Sequence, residues 1–262
     1  MVESQPTEPL LVMEGIVKTF PGVLALDGAS LRVARGEVHA LVGQNGAGKS
    51  TLMKILNGAY RRDRGTIRFD GRPVDFGSPL ESQEAGVSTI YQEINLVPFR
   101  SVAENVFMGR EPRRFRLIDW PVMNRRSAEI LHGLGVRVDV RRPLGTLNIA
   151  LQQMVAIARA VSFDAKLVIM DEPTSSLDDQ EVETLFGVIR GLKERGVSVI
   201  FITHRLDELY AVCDRVTIMR DGKTVDDCPM ADVSRLELVA RMLGKEAGEV
   251  RRAGATGFRT RT

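Results

Sequence analysis

One short segment constrains the fold of this chain more than any other feature of the sequence. It reads GQNGAGKS over residues 43–50 and fits the pattern G-x-x-x-x-G-K-[ST]. A short apolar run precedes it over residues 37–42, and apolar residues at helical spacing follow it over 50–57. A glycine-rich turn before an ordinary helix is the alternative interpretation. The strand before the segment and the helix after it favour a loop that binds phosphate.

The residue types in this segment suit the binding of a nucleotide. Glycines let consecutive backbone N–H groups converge on phosphate oxygens, and the following helix directs the positive end of its dipole at them. Lys49 is predicted to reach the β- and γ-phosphates, and the Ser50 hydroxyl to ligate Mg²⁺. The predicted nucleotide-binding residues of this stretch are Gly43, Gln44, Asn45, Gly46, Ala47, Gly48, Lys49, Ser50 and Thr51.

A pair of acidic residues forms a second motif. Asp171 and Glu172 follow an apolar strand predicted over residues 166–170. We expect Asp171 to hold Mg²⁺, directly or through water, and Glu172 to polarise an attacking water molecule. The pair alone is weak evidence, because many strands simply end in solvated acids. Together with the phosphate loop it indicates a nucleotide site.

Predicted strands and helices alternate along the chain. The alternation predicts an α/β fold with a mainly parallel sheet. Asp70-Gly71 and Asp221-Gly222 each predict a tight hairpin turn. Between residues 101 and 146 the pattern changes to that of a helical insert. Strands are predicted over 10–20, 31–34, 37–42, 66–69, 72–76, 87–91, 166–170, 197–202, 215–220 and 224–227, and helices over 50–57, 152–161, 180–195 and 206–212.

Composition excludes several other classes of protein. The 262 residues include 36 Lys and Arg against 34 Asp and Glu, a net charge of +2. A dedicated nucleic-acid binder usually carries a larger basic excess, so no nucleic-acid partner is expected. The sequence has no apolar run of the roughly 18 residues that a membrane span needs, and its N-terminus lacks the pattern of a secretory signal. Cys213 and Cys228 are too few for a disulfide framework or a zinc site.

With these motifs, the chain resembles the ATP-binding cassette ATPases over residues 10–243. The resemblance implies ATP and Mg²⁺ as ligands. It also implies a P-loop NTPase core with a RecA-like, mainly parallel sheet, an antiparallel β subdomain and an α-helical subdomain at about residues 93–150. The ATPase domain is expected to span residues 10–244. Residues 1–9 and the basic tail 245–262 are predicted to be disordered.

The same resemblance implies roles for single residues. Phe20 looks like the aromatic that stacks on adenine, Gln92 like the Q-loop glutamine, and His204 like the switch histidine that contacts the γ-phosphate. A core role for Phe20 and a structural role for His204 are the alternatives. The resemblance implies Glu172, His204 and Gln92 as catalytic residues, Ser50, Gln92 and Asp171 as metal ligands, and Ser176, Leu177 and Asp178 as the D-loop that crosses a dimer interface.

Smaller motifs resemble one branch of the family. Residues 20–23, 91–98, 109–111 and 118–120 are similar to the importers of ribose, galactose, xylose and fructose. One motif departs from the family pattern. The signature, Leu-Ser-Gly-Gly-Gln or Leu-Ser-Ile-Gly-Asp, is replaced by LNIAL over residues 147–151. Its trans-acting residues would be Asn148, Ile149 and Ala150.

The resemblance implies an ATPase subunit that energises the import of a monosaccharide. Its partners would be a second ATPase subunit, in a homodimer or a heterodimer, a transmembrane permease and, indirectly, a sugar-binding protein. Its place would be the cytoplasmic face of the cell membrane. Two alternatives remain: a regulatory or weakly hydrolysing subunit with a degenerate signature, and a soluble cassette protein of translation or DNA repair.

Overall fold

The computed structural model describes residues 8–90 and 96–245. Gln92 and the two predicted terminal extensions, apart from residues 8, 9 and 245, lie outside this part. The strands are β1 (Leu11–Phe20), β2 (Val23–Val33), β3 (Val38–Val42), β4 (Arg64–Phe69), β5 (Arg72–Pro73), β6 (Val87–Ile90), β7 (Arg113–Arg114), β8 (Leu117–Ile118), β9 (Leu167–Asp171), β10 (Ser198–Ile202), β11 (Arg215–Arg220) and β12 (Lys223–Pro229). The helices are α1 (Lys49–Leu56), α2 (Pro79–Ala85), α3 (Val102–Val106), α4 (Trp120–Gly133), α5 (Ile149–Ser162), α6 (Asp179–Glu194), α7 (Leu206–Val212) and α8 (Arg235–Leu243).

A six-stranded sheet in the order β12-β11-β3-β10-β9-β6 forms the core. The pairs among β11, β3, β10, β9 and β6 are parallel, and only β12 runs antiparallel to its neighbour. Every residue of β3 and of β10 is buried. Parallel strands covered on both faces read as continuous apolar runs, which is why the sequence predicts them well. The predicted α/β fold with a mainly parallel sheet is confirmed.

A second, antiparallel sheet has the order β2-β1-β4-β5. The predicted strand 31–34 was too short, since β2 begins at Val23. The pairing of β1 with β2 contains register shifts, and Gly15 and Gly28 both have positive φ angles in this region. Such irregularities interrupt the alternation of buried and exposed residues, so the first half of β2 does not have a strand pattern in the sequence.

Helices α3 and α4 pack on each other and on α5, which contacts β6 of the core sheet. Val102, Met123, Leu131 and Met154 belong to one buried apolar cluster with residues of β3, β9 and β10. A capping box of Ser101 and Glu104 begins α3. The short hairpin of β7 and β8 lies between α3 and α4. These elements occupy the stretch for which the sequence predicts a helical insert.

Two helices have no counterpart in the sequence prediction. In α2 only Ser82 is buried, so the helix shows no apolar periodicity. Helix α8 begins with a capping box of Ser234 and Glu237, a signal that the sequence does contain. Among residues 8–90 and 96–245, no helix is both long enough and apolar enough to cross a bilayer.

Candidate nucleotide site

The sheet topology brings the predicted motifs to one edge. Strand β10 pairs in parallel with β3 on one side and β9 on the other, so their carboxyl ends lie side by side. The phosphate loop follows β3, Asp171 and Glu172 lie at the end of β9, and His204 lies just beyond β10. Ligands of open α/β sheets bind at this edge. Strand β6 leads toward Gln92, which lies outside the described residues.

Two glycines of the phosphate loop stand where no side chain fits. A Cβ on Gly43 would lie 2.3 Å from the Met219 carbonyl oxygen. Gly48 has φ +100°, and a Cβ there would lie 2.7 Å from Leu26 Cδ2. Gly48 is also the N-cap of α1 and makes no side-chain cap bond. The first turn of α1 therefore presents its N–H groups to the loop, where they suit an anion.

The Lys49 ammonium lies folded over the phosphate loop. Its Nζ donates hydrogen bonds to the carbonyl oxygens of Gly43, at 2.7 Å, and of Gln44, at 3.1 Å. Burial lowers the pKa of Lys49, while the charges of Asp171 and Glu172 act in the opposite direction. Lys49 is therefore a partly desolvated cation between the loop and two carboxylates, a position from which it can bind a phosphate oxygen.

A cavity of about 690 Å³ lies beside the phosphate loop. It brings Phe20 together with loop residues although more than twenty positions separate them in the sequence. The ring of Phe20 contacts that of Tyr60 edge-on, with centroids 5.3 Å apart. Of the predicted site residues, Phe20, Asn45, Gly46, Ala47, Gly48, Lys49, Ser50 and Thr51 line this cavity.

Part of the cavity wall was not anticipated from the sequence. Val23, Leu24 and Ala25 of β2 line it, as do Asp221 and Gly222. The Asp221-Gly222 turn was predicted only as a hairpin. In the structure the Gly222 N–H donates to the Ala47 carbonyl oxygen, which places the turn on the phosphate loop. No local pattern indicates such a contact.

Asp171 and Glu172 have different surroundings. Burial raises the pKa of Asp171 and so does the charge of Glu172, whereas Lys49 and Lys54 lower it. Glu172 has φ +48°, an uncommon angle for a residue with a side chain. Its Oε1 lies 3.2 Å from Nδ1 of His204, whose side chain is 71% exposed. The structure thus pairs two residues that were predicted separately.

The altered signature lies at the start of α5. Asn148 is the N-cap, and its Oδ1 accepts a hydrogen bond from the Leu151 N–H at 3.0 Å. Its Nδ2 donates to Oε1 of Glu181 at 3.1 Å. Ile149 is exposed and Ala150 is buried. Asn148 therefore stabilises the first turn of α5.

The predicted D-loop residues lead into α6. Asp178 is the N-cap of α6 and forms a capping box with Glu181. Ser176 is exposed, and Leu177 packs against the apolar core. Because Glu181 also accepts from Asn148, the signature segment and the D-loop are joined through one side chain.

Oxygen donors suited to Mg²⁺ are present beside the phosphate loop. Ser50 lines the cavity, and the Asp171 carboxylate lies near enough to Lys49 for their charges to interact. Mg²⁺ is usually held by one or two protein oxygens together with substrate phosphates and water. A hydroxyl and a partly buried carboxylate fit this ion.

Comparison with known proteins identifies the family. The family model for ABC transporters matches residues 26–175, more than half of the chain. The chain belongs to the ABC transporter family. Over 241 residues this ABC transporter chain is 52% identical to the ribose import ATP-binding protein RbsA 1 of Rubrobacter xylanophilus. The aligned region covers 92% of the chain and 48% of that protein.

Two further comparisons agree with this assignment. The ABC transporter chain is 48% identical, over 251 residues, to the galactofuranose transporter ATP-binding protein YtfR of Escherichia coli K12, covering 95% of the chain and 50% of that protein. It spans about half the length of these curated relatives. A crystal structure of an ATP-binding cassette of an ABC transporter in its ADP conformation superposes with a TM-score of 0.79 at 25% identity, over 94% of this chain and 99% of that one.

Proposed function

We propose that this ABC transporter chain binds ATP in the cavity beside the phosphate loop and hydrolyses it to drive a membrane permease that imports a monosaccharide. The observation that carries the proposal is the Glu172–His204 pair, whose side chains lie 3.2 Å apart. The pair lies next to a phosphate loop whose Lys49 interacts electrostatically with Asp171 and Glu172. The relatives named for the import of ribose and the transport of galactofuranose support a sugar as cargo.

The residues have separate tasks in the proposed reaction. Lys49 leaves the Gly43 and Gln44 carbonyl oxygens and binds the β- and γ-phosphates. The full negative charge of the phosphates attracts the ammonium more strongly than the partial charge of a carbonyl oxygen does. Glu172 orients the attacking water and accepts its proton, and His204 contacts the γ-phosphate. Ser50 and Asp171 would hold Mg²⁺, which when bound supplies positive charge to the phosphate oxygens. Gln92 is proposed to contact both Mg²⁺ and the attacking water.

The proposal includes partners for the chain. A second cassette would place its signature residues over this chain's γ-phosphate, and the D-loop would cross the interface between the two. A transmembrane permease would dock on the helical elements from the cytoplasmic face of the membrane, and a sugar-binding protein would deliver the sugar. The test is ATP-dependent uptake of radiolabelled monosaccharides into vesicles that contain the cognate permease and this chain. Equal uptake with and without the chain would contradict the proposal.

Replacing Phe20 with Ala is expected to weaken ATP binding. Loss of a stacking face costs about 1 kcal/mol, or about fivefold in Kd. GTP binding should weaken similarly, because a ring face does not distinguish the edges of the bases. Phe115→Ala is the control, since Phe115 is exposed and lies outside the cavity lining. Nucleotide titration of both variants measures the effect, and an unchanged Kd for Phe20→Ala would assign Phe20 a structural role, in its contacts with Tyr60 and Lys18.

A second candidate function, a weakly hydrolysing subunit, is favoured by the bonds of Asn148. Its amide oxygen caps α5 and its amide nitrogen donates one of its two hydrogens to Glu181, so the side chain is held within its own chain. The methyl group of Ala150 also stands where the family has glycine. Both features would weaken the closed dimer and slow hydrolysis.

The double variant Asn148→Ser with Ala150→Gly is therefore expected to raise ATP turnover several-fold. Serine caps a helix about as well as asparagine, while glycine in the first turn costs some helix stability. The melting temperature is recorded with the turnover, in the presence of the permease. A folded double variant that is no faster would show that Asn148 replaces the family's serine adequately.

A further inference from the structure

Glu208 is a buried carboxylate that no sequence motif indicates. It lies in the first turn of α7, and only 3% of it is exposed. Its Oε2 accepts two hydrogen bonds, from Thr174 Oγ1 at 2.9 Å and from Thr203 Oγ1 at 2.8 Å. Nη1 of Arg205 lies 2.9 Å from its Oε1. A buried charge is costly unless it is paired and hydrogen-bonded. Here Oε2 accepts the hydrogen bonds and Oε1 forms the ion pair.

The two threonines belong to the two loops that carry the proposed catalytic pair. Thr174 follows Glu172 by two residues in the turn that leaves β9, and Thr203 immediately precedes His204 at the end of β10. Both threonines are buried. One carboxylate oxygen therefore connects the loop of Glu172 to the loop of His204.

The bonds around Thr203 also hold the backbone beside His204. The Thr203 hydroxyl accepts from the Arg205 N–H at 3.1 Å. Since its single hydrogen goes to Glu208, this hydroxyl has a defined direction. The Glu172 N–H donates to the Ile202 carbonyl oxygen on the other side of the pair. Hydrogen bonds of the backbone and of side chains therefore hold both residues of the 3.2 Å Glu172–His204 contact in place.

We propose that Glu208 is a positioning residue for ATP hydrolysis, holding Glu172 and His204 at the distance at which they act together. The inference rests on the proposed function, because it needs Glu172 and His204 to serve hydrolysis. Glu208 is not part of the cavity lining. Its removal is therefore expected to affect the hydrolytic step and to spare nucleotide binding.

The test compares Glu208→Ala with Glu208→Gln. Misplacement of a reacting group by a remote change lowers rates by up to about 100-fold, so we expect kcat of Glu208→Ala to fall by about 10- to 100-fold. KM and the Kd for ATP should stay unchanged. The amide oxygen of Gln can accept from both threonines, so Glu208→Gln should recover most of kcat. Hydrolysis is followed by phosphate release and binding by titration.

Glu237→Ala is the matched control. Glu237 occupies the equivalent first-turn position of α8, where it accepts from the Ser234 N–H and hydroxyl. Its loss removes a helix-capping carboxylate without touching either catalytic loop. We expect a lower melting temperature and an unchanged kcat for this variant.

Thr203→Val keeps the test decisive if Glu208→Ala does not fold. It removes one of the two hydroxyl donors and should lower kcat at constant KM. Where both variants fold, adding it to Glu208→Ala should lower kcat no further, because both act on the same connection.

Each outcome has a defined meaning. A wild-type kcat in Glu208→Ala, or in Thr203→Val where the former does not fold, overturns the inference alone. So does a Gln variant no faster than the Ala variant, or a rise in KM that accounts for the whole loss. Absence of hydrolysis by the wild-type chain overturns the proposed function and the inference with it.

Discussion

Replacing Glu172 with Gln is expected to leave ATP bound and to nearly stop its hydrolysis. The amide keeps the size of the side chain and can still contact His204, but it cannot accept the proton of an attacking water. A positioned general base contributes about 10²–10⁴-fold to a rate, and kcat should fall by that factor. Phosphate release under saturating ATP measures the loss, and titration of the variant measures retained binding.

Glu237→Gln serves as the control for Glu172→Gln. It carries the same chemical change on a carboxylate of the α8 capping box. The control should hydrolyse ATP at the wild-type rate, and ATP-driven dimers of Glu172→Gln should be easier to trap than those of the control. Wild-type turnover in Glu172→Gln would mean that another group acts as the base.

Replacing Lys49 with Ala is expected to weaken ATP binding most among the single variants. The ammonium makes two hydrogen bonds to loop carbonyl groups, and these partners would be exchanged for phosphate oxygens. A hydrogen bond to a charged group contributes about 1.5–3 kcal/mol, so Kd should rise by about 10- to 100-fold. The pKa of Asp171 should also rise further, because Lys49 lowers it in the wild-type chain.

Lys49→Met is the companion variant for this prediction. It keeps most of the apolar stem of the side chain and loses the ammonium, with its charge and its N–H donors. A similar rise in Kd for Met and Ala would assign the effect to the ammonium. An unchanged Kd in both variants would show that the phosphates do not lie on this loop.

The parts of the fold that are local in sequence could be predicted from it. The phosphate loop, the buried strands β9 and β10 and helix α7 each have a pattern within a few consecutive residues. The bulged start of β2 and the mostly exposed helix α2 do not, because their residues lack a regular alternation of buried and exposed side chains.

The candidate site was predictable in its motifs and not in its connections. Residues 43–51, Asp171, Glu172 and His204 follow from motifs or from family resemblance. The Gly222 contact to the phosphate loop, the Asn148–Glu181 bond and the Thr174–Glu208 bond join residues far apart in the chain. Such contacts follow from strand order and helix packing, which a single sequence does not specify.

The most direct test of the account is phosphate release from ATP by the purified chain, at protein concentrations at which two copies associate. We expect phosphate release that requires Mg²⁺, saturates with ATP and disappears in Glu172→Gln while ATP stays bound. Binding of ATP by the wild-type chain without any release of phosphate, alone or with the permease, would contradict this expectation.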